Sequence, residues 1–220
     1  MHNSVQKYKD IISAINRKIE EQKITSTPKV IAVSKTFGLA KILPLIEYGH
    51  LDYGENKVQE AIEKWSDIKL EKPNIKLHLI GKLQTNKVKH AVKIFDFIHS
   101  VDSLKLVTKI ADEQQKQNKN VKLFIQVNIG NEEQKSGVKV DQINELLIFS
   151  KKLNLNVIGL MCIPPANEEP SKYFREIKLL NKSLNLTELS MGMSSDYLKA
   201  VENSSSYLRI GSSIFGERNQ

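Results

Sequence analysis

The sequence contains almost no cysteine and no long hydrophobic segment. Its 220 residues include one cysteine, Cys162, which excludes an internal disulfide and suits a reducing cytoplasm. No run reaches the roughly 18 apolar residues of a membrane-spanning helix. The polar segment from Met1 to Lys9 has no apolar core of the kind found in signal peptides. We therefore expect a cytoplasmic protein without a membrane anchor.

The sequence also lacks the common short signatures of catalysis and metal binding. Its five histidines are dispersed and show no Cys/His or Glu/His spacing typical of a metal site. It contains no P-loop and no nucleophile elbow. We interpret His78 as a core or wall residue, Cys162 as a small buried hydrophobic residue, and Trp65 as part of the core. Neither a metal site nor a catalytic residue is predicted.

Acidic residues are fewer than basic ones, with 25 Asp and Glu against 33 Lys and Arg, so the formal net charge is +8. The densest basic cluster has no interleaved aromatic side chains and is typical of a solvated helix face. It consists of Lys82, Lys87, Lys89 and Lys93. The charge leaves open a polyanion-binding module as an alternative function, although no specific nucleic-acid site is predicted.

Short apolar segments alternate with amphipathic helical segments along the chain. A helix over residues 3–22 is followed by eight predicted strands, each with a helical segment after it. This order predicts an α/β fold, a single (β/α)8 TIM-type barrel over residues 1–220 with an extra N-terminal helix. A doubly wound open sheet is the alternative, weakened because no Gly-rich dinucleotide fingerprint follows the first strand.

The first predicted strand, Val30 to Thr36, ends on a lysine. Its apolar residues do not alternate with polar ones, which is typical of a parallel strand covered on both faces. Active sites of parallel barrels form where the strands end, so Lys35 would lie at the mouth of the barrel. Partial burial favours the neutral amine, which forms a Schiff base with an aldehyde. The alternative is a lysine that extends into solvent.

The ends of the seventh and eighth predicted strands carry glycines and hydroxyl groups. In barrel enzymes these two loops form the recurrent phosphate site, where backbone N–H groups and helix N-termini favour an anion. The groups available are Gly192 and Ser194 in the first loop and Gly211, Ser212 and Ser213 in the second.

Arg209 lies next to the second of these loops, on a strand between apolar neighbours. If its side chain points inward, it faces the ring nitrogen of a pyridine cofactor, where it stays protonated and disfavours a pyridinium. An outward surface arginine is the alternative. A lysine amine, a phosphate site and an arginine at one barrel mouth together predict pyridoxal 5'-phosphate.

These segments resemble the pyridoxal phosphate homeostasis protein family, formerly labelled proline synthase co-transcribed homologue. The resemblance covers the chain in order from about Pro28 to Arg218. Its motifs are Ala32-Val33-Ser34-Lys35-Thr36, Tyr53-Gly54-Glu55-Asn56, His78-Leu79-Ile80-Gly81, Ser100-Val101-Asp102, Gln126-Val127-Asn128 with Lys135-Ser136-Gly137, Gly159-Leu160-Met161, Leu189-Ser190-Met191-Gly192-Met193-Ser194 and Arg209-Ile210-Gly211.

The resemblance implies a barrel similar to the N-terminal domain of alanine racemase and a role in homeostasis of pyridoxal phosphate (vitamin B6) without established turnover. The implied cofactor-binding residues are Lys35 as the Schiff-base amine, Asn56 near the ring, Arg209 at the ring nitrogen, and Ser194, Gly211 and Ser212 at the phosphate. It also implies apo-enzymes as recipients, and Lys135 as a second amine for transfer.

A racemase-like enzyme is the alternative within the same cofactor class. The sequence ends shortly after the eighth predicted strand, so we expect no further domain that would supply a second acid/base. Phe37, Gly38 and Lys82 depart from the family pattern, which often has a basic residue and proline after Ser-Lys-Thr. No long exposed apolar stripe is evident, and we expect a monomer.

Overall fold

Eight parallel strands close into one barrel in the computed structural model, which describes residues 2–217. The strands are β1 (Lys29–Val33), β2 (Asp52–Glu55), β3 (Lys76–Leu79), β4 (Phe97–Val101), β5 (Lys122–Val127), β6 (Val157–Cys162), β7 (Glu188–Met193) and β8 (Tyr207–Ile210). Each strand pairs with the next along the chain, and β8 pairs with β1 through Ile31 opposite Arg209. The predicted barrel is confirmed, and the open-sheet alternative is wrong.

Helices surround the barrel and fill the connections between strands. Within residues 2–217 they are α1 (Asn3–Gln22), α2 (Leu39–Glu47), α3 (Val58–Glu71), α4 (Val88–Ile94), α5 (Leu104–Gln117), α6 (Ile143–Lys152), α7 (Pro170–Ser183), α8 (Tyr197–Glu202) and α9 (Ser212–Phe215). The extra helix α1 packs against α2, α8 and α9. Among the helices described, none is both long and apolar enough to cross a membrane.

Local sequence explains where several helices begin. Ser103 accepts a hydrogen bond from the Leu106 N–H and caps α5, and Pro170 occupies the first turn of α7, where its missing N–H costs nothing. Pro44 lies inside α2, beyond its first turn. The segments at Met1 and residues 218–220, which the predicted domain includes, lie outside the described residues.

The core has two layers, one between the strands and the helices and one inside the barrel. The inner layer is formed by strand residues alone: Ile31, Val33, Phe97, Phe124, Met161 and Tyr207. Polar side chains are also buried within the strands, among them His78, His99, Ser190 and Arg209. The barrel interior is therefore a packed core, and the C-terminal ends of its strands remain available to form a binding site.

The first strand ends earlier than its apolar pattern predicts. β1 stops at Val33, and residues 34–36 form a turn in which the Phe37 N–H donates to the Ser34 carbonyl at 3.1 Å. Thr36 has a φ of 66°, a left-handed conformation that does not continue a strand and that is uncommon for a β-branched residue. Lys35 therefore lies in a constrained turn at the mouth of the barrel.

Candidate functional site

A cavity of about 380 Å³ opens at the C-terminal mouth of the barrel. Its volume falls within the range of small-molecule sites, roughly 300–1,000 Å³. All six predicted cofactor-binding residues line it: Lys35, Asn56, Ser194, Arg209, Gly211 and Ser212. Residues from four different strand ends thus meet in one place, although their contacts with a cofactor stay a prediction.

The turn that carries Lys35 is held from behind by the side chain of Lys64 on α3. Lys64 Nζ donates to the Ser34 carbonyl, to Glu55 Oε1 and to Glu60 Oε1, each at 2.9 Å. Glu60 Oε1 in turn accepts the Thr36 N–H at 2.6 Å. The backbone is therefore fixed on both sides of Lys35, which offsets the strain of the left-handed Thr36.

Glu55 is the anion at the centre of this arrangement. Its Oε1 accepts from Ser34 Oγ at 2.7 Å and from Trp65 Nε1 at 2.9 Å, in addition to Lys64. Burial raises the pKa of the Glu55 carboxyl, against the lowering effects of Trp65, Lys64 and Ser34. We call Glu55, Glu60 and Lys64 the turn clamp. Sequence reasoning named Glu55 only as part of the motif Tyr53-Gly54-Glu55-Asn56 and assigned no role to Lys64.

Asn56 is positioned by a close approach between two strand ends. Gly81 follows β3, and a Cβ atom at this position would lie 2.3 Å from the Asn56 carbonyl oxygen and 2.8 Å from its Cα. Only glycine leaves room for the Asn56 backbone here. The side chain of Asn56 then lines the cavity beside Lys35.

Backbone N–H groups converge at the side of the cavity where β7 and β8 end. Ser194 Oγ accepts from the N–H of Gly211 at 3.3 Å and from that of Ser213 at 3.4 Å. These donors lie at the start of α9, where the backbone favours negative charge. The N–H groups of Gly211 and Ser213 thus point at the same position, which the Ser194 hydroxyl oxygen occupies.

Gly192 makes a close packing contact in the structure, and the approach of its N–H to an anion stays a prediction. It has a φ of 91°, and a Cβ atom there would lie 2.5 Å from the Cβ of Ala200 on α8. It is not among the residues that line the cavity. Gly192 is therefore required by close packing of β7 on α8.

Arg209 points into the barrel, as the cofactor interpretation requires. Its Nη1 donates to Ser190 Oγ at 2.7 Å, and its Nη2 donates to the Cys162 carbonyl at 2.9 Å. Its exposed fraction is only 4%. Burial lowers the pKa of the guanidinium, against the opposing effects of Cys162 and Asp196. The outward-facing alternative is wrong, and Ser190 is a contact that sequence reasoning missed.

The chemistry of the lining suits an anionic aldehyde. The described lining residues include no Asp, Glu, His, Cys or Tyr. Their polar groups are an amine, a guanidinium, an amide, hydroxyl groups and backbone N–H groups, most of which donate hydrogen bonds. Within residues 2–217, no cluster of His, Cys, Asp or Glu is arranged to hold a metal ion. The donor-rich lining of the cavity therefore fits a phosphorylated carbonyl compound.

Comparisons with known proteins agree with this geometry. Residues 12–219 match the family model of the alanine racemase N-terminal domain. The pyridoxal phosphate homeostasis protein of Aquifex aeolicus is 38% identical over 200 residues, which covers 86% of this chain and 87% of the relative. This chain belongs to the pyridoxal phosphate homeostasis protein family. The curated relatives of this kind are named as homeostasis proteins and not as enzymes.

Solved structures extend the comparison to the fold. PipY of Synechococcus elongatus with PLP bound is 32% identical, has a TM-score of 0.79, and matches over 92% of this chain and 100% of its own. Alanine racemase of Clostridium difficile is 15% identical with a TM-score of 0.70 over 96% of this chain and 57% of its own. The second likeness concerns the fold alone.

Two further positions named in the comparison with the family, Lys135 and Phe37, have a clear place in the structure. Lys135 lies outside the cavity lining, pairs with Glu132 Oε2 at 2.5 Å and donates to the Pro164 carbonyl at 3.2 Å. Its role as a second amine stays a prediction. Phe37, which departs from the family pattern, lines the cavity and packs on Phe215 with ring centroids 5.4 Å apart. An aromatic wall therefore stands where the family often has a basic residue.

Proposed function

We propose that this chain binds pyridoxal 5'-phosphate at the barrel mouth and serves its intracellular homeostasis. The observation that carries the proposal is the meeting of Lys35, Arg209 and the N–H groups at Ser194 in one cavity of about 380 Å³. The PLP-bound PipY relative supports it. The compartment, expected from the sequence to be the cytoplasm, stays part of the proposal.

In this proposal each end of the cofactor meets groups of matching chemistry. The phosphate accepts from the N–H and hydroxyl groups of Ser194, Gly211 and Ser212. Ser194 directly follows β7, and Gly211 and Ser212 lie at the start of α9. The aldehyde meets the Lys35 amine and forms a reversible Schiff base. Asn56 lies beside the ring, and Arg209 donates to the ring nitrogen.

The surroundings of Arg209 and Lys35 favour a carrier over a catalyst. A buried guanidinium at the ring nitrogen keeps that nitrogen unprotonated, so the ring withdraws electrons weakly. Racemisation and transamination also need a second group that can hold or deliver a proton near neutral pH. Among the described lining residues, no carboxyl, imidazole, thiol or phenol is available for this. We infer that the protein holds the aldehyde without turnover.

Absorbance and chemical reduction test the assignment of Lys35. The purified protein should be yellow when loaded with PLP, and borohydride should fix the cofactor on the peptide that contains Lys35. Lys35→Ala should be colourless. Lys41→Ala is the matched control, because Lys41 lies at the same mouth with its Nζ 4.8 Å from the Phe37 ring centroid. Equal colour in the two variants would refute the assignment.

Activity assays separate the carrier from the enzyme. Racemase and transaminase assays across the amino acids should show no turnover above the uncatalysed rate. Turnover near the enzyme median of about 10 per second would overturn the carrier proposal.

Transfer to PLP-dependent apo-enzymes is the proposed use of the bound cofactor, and mixing loaded protein with such an apo-enzyme should restore the enzyme's activity. The protein is expected to do this as a monomer.

A further inference from the structure

A chain of hydrogen bonds crosses the barrel interior and ends on Arg209. At the N-terminal end of β2, Asp52 Oδ1 lies 3.0 Å from His78 Nε2. His78 Nδ1 lies 3.0 Å from His99 Nε2, and His99 Nδ1 lies 2.8 Å from Ser190 Oγ. Ser190 Oγ accepts from Arg209 at 2.7 Å. We call Asp52, His78, His99 and Ser190 the barrel relay.

The two ends of the relay fix the direction of every proton in it. Arg209 can only donate, so the Ser190 hydroxyl uses its own hydrogen for His99 Nδ1. A neutral His99 then carries its proton on Nε2 and donates to His78 Nδ1. A neutral His78 likewise carries its proton on Nε2 and donates to the Asp52 carboxylate. Ser190, His99 and His78 each accept one hydrogen bond and donate the next, and the Asp52 carboxylate accepts the last one.

The protonation states that this order requires agree with the surroundings. Burial lowers the pKa of His78, and lowers that of His99 well below its ordinary range, so both imidazoles are neutral near pH 7. Burial opposes ionisation of Asp52, but the hydrogen bond from His78 lowers the pKa of its carboxyl overall. The relay therefore joins an anion at one end of the barrel to the guanidinium at the other.

Aromatic stacking holds both imidazole rings in the planes that the relay needs. The His78 ring stacks on Phe97 at a centroid distance of 4.2 Å and an interplanar angle of 11°. The His99 ring stacks on Phe124 at 4.3 Å and 17°. Both histidines are fully buried. Rings packed in this way cannot turn without opening the core, so the orientation of Ser190 is fixed in turn.

We propose that the barrel relay is a positioning device that holds Arg209 in the orientation and charge state with which it donates to the ring nitrogen of the bound cofactor. The proposal rests on the proposed function, because it needs PLP at the mouth. The bonds to Ser190 and Cys162 use two of the five guanidinium N–H groups. Arg209 also lines the cavity. Its bonds to Ser190 and Cys162 therefore fix the guanidinium, while its remaining N–H groups can donate to a ligand in the cavity.

Nitrogen-15 NMR of the full chain tests whether the relay exists, without any cofactor. His78 and His99 should both show the neutral Nε2–H tautomer at pH 7. His50 should show it too, because its Nε2 lies 2.8 Å from the Asp52 carbonyl oxygen, which only accepts. The signals of His78 and His99 are identified as those that remain when His2, His50 and His90 are substituted in turn. A charged imidazole or an Nδ1–H tautomer at His78 or His99 would overturn the proton order.

A pair of buried serines tests the positioning role. Ser190 and Ser205 are both at most 1% exposed, and Ser205 Oγ bonds only to backbone carbonyls of neighbouring strands among its described contacts. Ser190→Ala should weaken PLP binding on the order of tenfold, the effect of losing one hydrogen bond to a charged group. It should also shift the absorbance band of the bound cofactor and the pH profile of that band.

The controls separate this proposal from the function on which it rests. Ser205→Ala should leave affinity and absorbance unchanged, and Ser190→Thr, which keeps the hydroxyl, should restore both. Equal losses in Ser190→Ala and Ser205→Ala would refute the positioning role while the proposed function stands. Failure of the wild-type protein to bind PLP would instead refute the proposed function.

A remote variant covers the case in which Ser190→Ala does not fold. Asp52→Asn keeps an acceptor oxygen for His78 but removes the charge at the far end of the relay, and should weaken PLP binding on the order of threefold. Asp96→Asn is its control, because Asp96 lies at the same end of the barrel and bonds to Lys69 and the Leu77 N–H outside the relay. Equal affinities for the two variants would contradict the relay.

Discussion

Replacing Lys64 by methionine would remove the cation that holds the turn around Lys35. The Lys64 side chain is 9% exposed and that of Glu55 is fully buried, so the pair behaves as a buried ion pair. Removing one partner of such a pair costs about 3–5 kcal/mol, because the other charge is left buried without compensation. For a domain of this size that corresponds to a loss of roughly 6–20 °C in Tm.

The loss of stability in Lys64→Met should depend on pH, and its sign follows from Glu55. Burial raises the pKa of the Glu55 carboxyl in the folded protein, and loss of Lys64 raises it further. A raised carboxyl pKa means that the folded state holds a proton that the unfolded state releases. Stability therefore falls as the pH rises from the ordinary value of 4.5 through the folded pKa. Lys64→Met should be least destabilised near pH 4.5 and increasingly destabilised as the pH rises from there through the folded pKa of Glu55.

Urea unfolding at a series of pH values measures this directly. Lys172→Met is the matched control, because Lys172 pairs with Glu168 on the surface, where their side chains are 53% and 45% exposed, and such pairs contribute about 0–1 kcal/mol. Adding Glu55→Gln to Lys64→Met should recover part of the loss above neutrality. If Lys64→Met cost no more than Lys172→Met at every pH, the reasoning about the turn clamp would be wrong.

Three further predictions concern the cavity and its neighbours. Gly81→Ala should weaken PLP binding while the barrel still folds, because the added Cβ displaces the Asn56 backbone; titration with PLP and circular dichroism measure the two effects. Ser194→Ala should weaken binding of PLP on the order of tenfold but leave binding of pyridoxal, which has no phosphate, unchanged. Burial raises the pKa of the Cys162 thiol to about 12, so a thiol reagent at pH 8 should modify it only after denaturation.

The barrel and the residues at its mouth could be predicted because their signals are local in sequence. Strands and helices follow from the periodicity of apolar residues, and Lys35, Asn56 and Arg209 each lie at or directly after an apolar strand. In a parallel barrel the C-terminal ends of all strands lie at one mouth, so residues that follow different strands in sequence come together there. Even the alternative of a solvent-facing Arg209 could be stated in advance and then decided by the structure.

The turn clamp and the barrel relay could not be predicted in the same way. Lys64 lies on an otherwise ordinary amphipathic helix, and nothing in its neighbours shows that its amine reaches the end of β1. His78, His99 and Ser190 lie on three separate strands, so only closure of the barrel brings them together. The available signal was a polar residue at an inward position of a buried strand, as with His99 two residues after Phe97.

The contact between Ser194 and the N–H groups of Gly211 and Ser213 has a consequence for the release of a bound phosphate group. These donors are already bonded to a protein hydroxyl. A phosphate that enters must replace or share that oxygen, so binding exchanges one acceptor for another and gains mainly the charge. When the phosphate leaves, the hydroxyl returns and no buried donor is exposed. A mouth that closes its own hydrogen bonds in this way stabilises the unloaded state, which agrees with the carrier proposed above.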